Sequence, residues 1–170
     1  KRFHRFLQDE RIAVKNPAEG FDSPRMVRGL PHVLSALEVE RLIAAADVST
    51  DRGLRDAAIL ELFYSCGLRI SELSNLPLAN VAIEESAIRV TGKGSKTRIV
   101  PLGAAGIGKI VAWLPVRSAW KPKDNTLFLS TRRKRMGRTS VWKVIKEAAV
   151  AANIRQNVTP HMLRHSFATH

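Results

Sequence analysis

The chain has 170 residues, 45% of them hydrophobic and 25% charged, enough to bury a core in one globular domain with little left over for a second. Twenty-eight Lys and Arg against fifteen Asp and Glu give a formal net charge of +13, the footprint of a polyanion binder, with nucleic acid ahead of an anionic membrane surface. No apolar run approaches a spanning helix, no signal-peptide apolar stretch opens the chain, and the single Cys66 can form neither an internal disulfide nor a zinc ribbon, so a cytoplasmic protein is expected.

Residues 1–30 read apart from the rest. Apolar residues at Phe3, Phe6 and Leu7 have helical spacing, and Asn16-Pro17 through Pro24 supplies turn residues. Two readings stand for this stretch: the end of a helix followed by a linker, with a preceding segment missing, or a flexible basic arm. From Pro31 the pattern is regular and predicts a single domain over 31–170. Ser35-Ala-Leu-Glu38 is a capping box, and Leu37, Leu42 and Ile43 carry a helix to about Asp47. A second helix begins near Asp51, presents a strongly apolar face at Ala58 and Leu62, and stops at Gly67, a residue suited to a left-handed cap. Arg69 therefore follows a helix end. Ser71 with Glu72 opens a short third helix that Pro77 terminates.

The period then changes. Residues 82–83, 87–91 and 97–100 read as short strands, with Gly92-Lys93-Gly94-Ser95 as the tight turn between the last two, which projects Lys93 from a hairpin tip. Helical spacing resumes over Gly106 to Trp113, a strand is expected at Leu127-Phe128-Leu129, and Thr139 or Ser140 caps a helix through Trp142, Ile145 and Ala149. Thr159-Pro160 announces the last helix, an N-cap followed by proline at the first helical position. The fold class is α+β, mainly helical, with a small antiparallel sheet.

The last helix carries the most specific constellation. His161 and Arg164 are three apart and share a face, while Leu163 and Phe167 turn toward an apolar one. Free amides and partial positive charge at the helix start favour a phosphate there, with His161 to exchange a proton and Arg164 to clamp it bidentately. His161 and His165 are four apart, but Met162 stands where a zinc helix of the His-Glu-x-x-His type has glutamate, and no metal is expected. The run Thr131-Arg132-Arg133-Lys134-Arg135-Met-Gly-Arg138, followed by Lys143, suits sequence-independent contact with backbone phosphates.

Three blocks now stand together: Gly67-Leu68-Arg69-Ile70-Ser71-Glu72-Leu73; Gly92-Lys93-Gly94 with Lys96 and Arg98-Ile-Val-Pro-Leu; and Pro160-His161-Met-Leu-Arg164-His165-Ser-Phe-Ala-Thr-His170. In this order they resemble the signature blocks of the tyrosine site-specific recombinases, most closely the Xer branch of the phage-integrase family. The resemblance covers the chain from about Leu34 onward, and residues before Pro24 resemble the last helix and linker of the family's core-binding domain. It implies the recombinase catalytic-domain fold and metal-independent breakage and rejoining of double-stranded DNA through a 3′-phosphotyrosine, with no cofactor. It assigns Arg69 and Arg164 to the non-bridging phosphate oxygens, Lys93 to protonation of the leaving 5′-oxygen, and His161 to proton transfer. Lys96, Arg98, Arg132, Arg133, Lys134, Arg135, Arg138, Lys143 and His165 are the further DNA-binding candidates.

The family pattern continues to a second His or Trp and then the nucleophilic Tyr. The single tyrosine here is Tyr64, on an apolar helix and read as packing, so these residues are expected to bind DNA without cutting it. Family members work as tetramers, sometimes with a partner recombinase, and exchange their C-terminal segments; this chain alone is expected to be monomeric. The alternatives are a non-catalytic DNA-binding regulator of the same fold and a basic RNA-binding protein, the latter disfavoured by an aromatic content of 6%. A structure with Arg69 and Arg164 on opposite faces would defeat the shared phosphate site.

Overall fold

The computed structural model describes residues 2–20, 33–92, 94 and 96–170. The chain forms two compact units, residues 1–31 and 32–170. The end of the expected linker and the expected boundary near residue 31 lie outside the described residues, as does Lys93. In the first unit, α1 (Arg2–Asp9) buries none of its residues, and Phe3 and Phe6 are exposed. It is closed by the amides of Arg11, Ile12 and Ala13, which donate to the carbonyls of Gln8 and Leu7, with Arg11 at a positive φ.

The second unit is built around α3 (Asp51–Ser65), in which Ala57 to Phe63 are buried on every side. That stretch is apolar apart from Glu61, and a helix segment buried all round belongs in the middle of a core. α2 (Ala36–Ala44), α4 (Ile70–Ser74), α5 (Ala104–Ala119), α6 (Arg138–Ala151) and α7 (Pro160–Thr169) all pack against it. The Ser35 capping box is formed, with the Glu38 amide donating to Ser35 Oγ and the Ser35 amide donating to Glu38.

A 3-10 turn (Leu78–Asn80) leads into an antiparallel meander of β1 (Val81–Ala82), β2 (Ala87–Thr91) and β3 (Thr97–Pro101). Its register pairs Ile88 with Val100, Val90 with Arg98 and Thr91 with Thr97. Ile88, Val90 and Val100 face the core. No described helix is long and apolar enough to cross a membrane.

Four local expectations are corrected. Leu127-Phe128-Leu129 is fully buried yet is not a strand; its one isolated bridge pairs Leu129 with Arg135, next to a bridge between Thr126 and Pro77. Its carbonyls are taken by side chains instead. Trp113 Nε1 donates to Leu127 at 2.9 Å, and the buried Arg117 guanidinium donates to the carbonyls of Asp124, Thr126 and Leu127. The same anchoring carries α5 past Trp113 and through Pro115 to Ala119. α6 begins at Arg138 with Gly137 as its N-cap, because the Gly137 carbonyl already accepts from Ser140 and Val141; neither Thr139 nor Ser140 caps it. α4 is entered from Arg69 rather than Ser71.

Candidate nucleic-acid interface

α3 ends at Ser65, Gly67 turns the chain with φ +53°, and Arg69 is the extended N-cap of α4. Arginine is a poor cap, and the order of this entry comes from Glu72, three residues on. The Arg69 amide donates to Glu72 Oε2 at 2.8 Å, half of a capping box, and Arg69 Nη1 donates to Oε1 at 3.0 Å. Only 2% of the Glu72 side chain is exposed.

Two more guanidinium groups meet this carboxylate. Arg98, on the core side of β3 beside Val90 and Val100, donates Nη1 to Oε1 at 2.8 Å and Nη2 to Oε2 at 2.9 Å. Arg164, on α7, stands with Nη1 4.0 Å from Oε2 and donates to the Gly67 carbonyl at 2.5 Å. Arg69 and Arg164 thus lie on one side of the molecule, joined through Glu72. Burial is the largest single influence on the Glu72 carboxyl and pushes its pKa up, but hydrogen bonds from Arg98 and from the amide and side chain of Arg69 outweigh it and pull it down to about 2. The carboxylate stays ionised at neutral pH, and three guanidinium charges against one leave a surplus of two beside solvent. The side chains of Arg69 and Arg164 are 57% and 37% exposed. A cleft of about 370 Å³ opens beside Arg69 and Glu72, lined also by Asn75, Asn80, Arg89, Thr91 and Gly92 but not by Arg164.

α7 is held at both ends. Thr159 Oγ1 accepts from the Met162 amide, Pro160 occupies the first turn, and Leu163 is buried. Ser166 Oγ accepts from the Leu34 amide at 2.9 Å and donates to the Met162 carbonyl at 3.0 Å. Tyr64 Oη lies 3.0 Å from His170 Nδ1. His161 is exposed in the first turn, one turn before Arg164, and His165 is exposed beyond it.

The basic run is an ordered turn. Ser130 and Arg133 amides donate to Lys134 and Ser130 carbonyls, Arg133 adopts φ +63°, and the buried Met136 anchors the exit. Arg132, Arg133, Lys134 and Arg138 are exposed. Arg135 is tied to α4 by Nη1 donating to Asn75 Oδ1 at 2.5 Å. Lys143 pairs with Glu147 at 3.6 Å on the exposed face of α6, where Lys146 sits 5.7 Å from the Trp142 ring. Lys96 is exposed and its carbonyl accepts from the Gly92 amide, closing the hairpin. Among the described residues no His, Cys, Asp and Glu group could hold a metal ion.

Residues 32–170 match the family described as the phage integrase family. The chain belongs to the phage integrase family. It is 44% identical to the tyrosine recombinase XerD of Staphylococcus aureus (strain N315) over 171 residues, covering 99% of this chain and 58% of that protein, and 40% identical to XerD of Staphylococcus saprophyticus over the same shares. The chain therefore spans 58% of the length of these curated relatives. Among solved structures, the XerA recombinase is similar with a TM-score of 0.76 at 33% identity, covering 96% of this chain and 56% of that one. The XerH site-specific recombinase bound to difH, in a pre-cleavage complex, has a TM-score of 0.72 at 27% identity, over 86% of this chain and 44% of that one. The fold of this phage integrase family member is that of the tyrosine-recombinase catalytic domain, as also seen for the lambda integrase catalytic core at a TM-score of 0.60 and 21% identity.

What the sequence reading did not anticipate is the partner of Arg98. It was expected on DNA, and both its terminal nitrogens are on Glu72. The available signal was the strand period: if Val100 faces the core, so does the residue two before it.

Proposed function

We propose that these residues form the phosphate-gripping part of a site-specific DNA recombinase that breaks and rejoins strands through a 3′-phosphotyrosine. The observation that carries the reading is the meeting of Arg69, at the start of α4, and Arg164, on α7, at one buried carboxylate in a member of the phage integrase family. A phosphoryl transition state gathers negative charge on its equatorial oxygens, and fixed guanidinium groups aimed at them lower its energy. Arg69 and Arg164 take the non-bridging oxygens, each with donors to spare. Lys93 protonates the departing 5′-oxygen, and His161 exchanges a proton at the phosphate. Arg132, Arg133, Lys134 and Arg138 hold neighbouring backbone phosphates without reading sequence.

The one tyrosine of the chain, Tyr64, is engaged with His170, so the 170 residues by themselves bind double-stranded DNA and do not cut it. The DNA complex of XerH supports duplex DNA as the ligand. A partner recombinase, a tetramer on two duplexes during recombination, a monomer for these residues alone and a cytoplasmic location belong to the same proposal. The test is duplex binding at several salt concentrations, followed by a denaturing gel. The expected result is salt-sensitive binding, about tenfold or more weaker in Arg69→Ala and Arg164→Ala, with no covalent adduct. Binding indifferent to both substitutions would overturn the site, and an adduct abolished by Tyr64→Phe would overturn the role given to Tyr64.

A further inference from the structure

We propose that Arg98 is a positioning residue rather than a DNA contact: it occupies both oxygens of Glu72, so that Arg69 and Arg164 keep their outer donors for a phosphate. This rests on the phosphate-site reading above.

The direction of Arg98 is set by the sheet. β2 and β3 pair Val90 with Arg98, and cross-strand partners share a face. Val90 and Val100 are buried, whereas Thr97 and Ile99 face solvent, so Arg98 leaves the strand on the Val90 face and reaches Glu72 with 39% of its side chain still exposed. Its two contacts, 2.8 and 2.9 Å, use both oxygens in a fork. Arg69 makes one side-chain contact, at 3.0 Å, and Arg164 stands off at 4.0 Å.

A single carboxylate neutralises one cation. With Arg98 in place that cation is the one forked across both oxygens, and Arg69 and Arg164 retain their charge. Without it, the buried carboxylate would have only Arg69 and Arg164 as partners, both already within 4.0 Å, and an unneutralised buried charge strongly favours closing on them. They would be drawn away from an incoming phosphate. Lysine cannot take the place of Arg98, because a point charge on a flexible stem does not span two oxygens. The pair also joins the hairpin to α4: a Cβ added at Gly92 would lie 3.5 Å from Glu72 Oε1 and 3.7 Å from Arg98 Nη1, so the base of the hairpin leading to Lys93 closes over this contact.

The experiment compares Arg98→Gln, Arg98→Lys, Glu72→Gln and the double variant Arg98→Gln with Glu72→Gln, reading duplex DNA affinity against salt, the Glu72 carboxyl titration by NMR in the free protein, and thermal unfolding. Arg98→Gln is expected to weaken binding by about tenfold and to raise the Glu72 titration midpoint, and Arg98→Lys to recover little of the affinity. Adding Glu72→Gln to Arg98→Gln is expected to restore most of it, since the competing carboxylate is gone. Full affinity of Arg98→Lys, or a salt slope lower by about 0.9 in Arg98→Gln with no recovery in the double variant, would make Arg98 a phosphate contact and overturn the proposal. Loss of binding in Arg164→Ala with none in Arg98→Gln would overturn the role of Arg98 alone. Indifference to Arg164→Ala would remove the phosphate site itself, and with it anything for Arg98 to position.

Discussion

The backbone carbonyl of Gly67 accepts a hydrogen bond from Arg164 Nη1 at 2.5 Å, so the turn that ends α3 also aims a cation on α7. The same glycine lies under the Phe167 ring, whose Cδ1 would be 2.4 Å from an added Cβ, and it sits at φ +53°. Gly67→Ala is expected to cost about 1–2 kcal/mol for the left-handed backbone alone, with a further loss from the displaced ring. Thermal unfolding checks this. Phe167 is partly exposed and can move, so Phe167→Ala in the Gly67→Ala background should return the steric part and leave the backbone part. Full recovery would show that φ at this turn carries no strain.

Stability should fall in acid through Glu72. Its carboxyl is held at about 2 in the folded protein against an ordinary 4.5, so the unfolded chain binds the extra proton between those values. The stabilisation is complete above about pH 4.5 and is lost as pH falls toward 2. A shift of this size corresponds to roughly 3 kcal/mol at most. Denaturant unfolding from pH 6 to pH 2 should show that slope, and Glu72→Gln should flatten it.

Glu61 behaves oppositely. Burial in α3 pushes its carboxyl up, with the Lys109 charge and the Ser65 hydroxyl opposing. A raised acid disfavours the folded state once ionised, so Glu61→Gln should stabilise the protein at pH 7 and gain little near pH 4. Equal gains at both values would mean that packing, not charge, sets the difference.

Ser166 is buried and carries two hydrogen bonds, one of them joining α7 to the amide of Leu34. Ser166→Ala leaves that amide buried without an acceptor and should cost about 1–3 kcal/mol. Hydrogen exchange at Leu34 should accelerate while exchange in the middle of α3 changes little. Unaltered exchange at Leu34 would show that water replaces the hydroxyl.

Much of this fold was legible because local signals agreed. Ser35 with Glu38, Gly67, and Thr159 with Pro160 mark helix ends by side-chain chemistry that acts within a few residues, and the apolar residues of α3 and the alternation in β2 needed no distant partner. What was not legible depends on distant partners. Leu127 to Leu129 has a strand's composition, but Trp113 and Arg117 take the Leu127 carbonyl and Arg55 takes that of Leu129, and none of the three is visible from the segment itself. Arg69 as an N-cap defies the usual preference and works only because Glu72 supplies the bond and two further cations stabilise Glu72. Within Thr97-Arg98-Ile99-Val100 either alternate pair could have faced inward, and the register against Val90 decides for Arg98.

The hydrogen bond from the Leu34 amide to Ser166 spans 132 residues, and that from Arg164 to Gly67 spans 97. Synthesis runs from the N-terminus, so Arg69, Glu72 and Arg98 emerge from the ribosome before either partner on α7 has been made. Proteolysis of ribosome-stalled chains ending before and after residue 170 would time the docking of α7, and earlier protection of the Gly67 turn would contradict this order. A strongly basic nascent chain surrounded by ribosomal RNA thus carries Arg69, Glu72 and Arg98 for a time before Arg164 can join them.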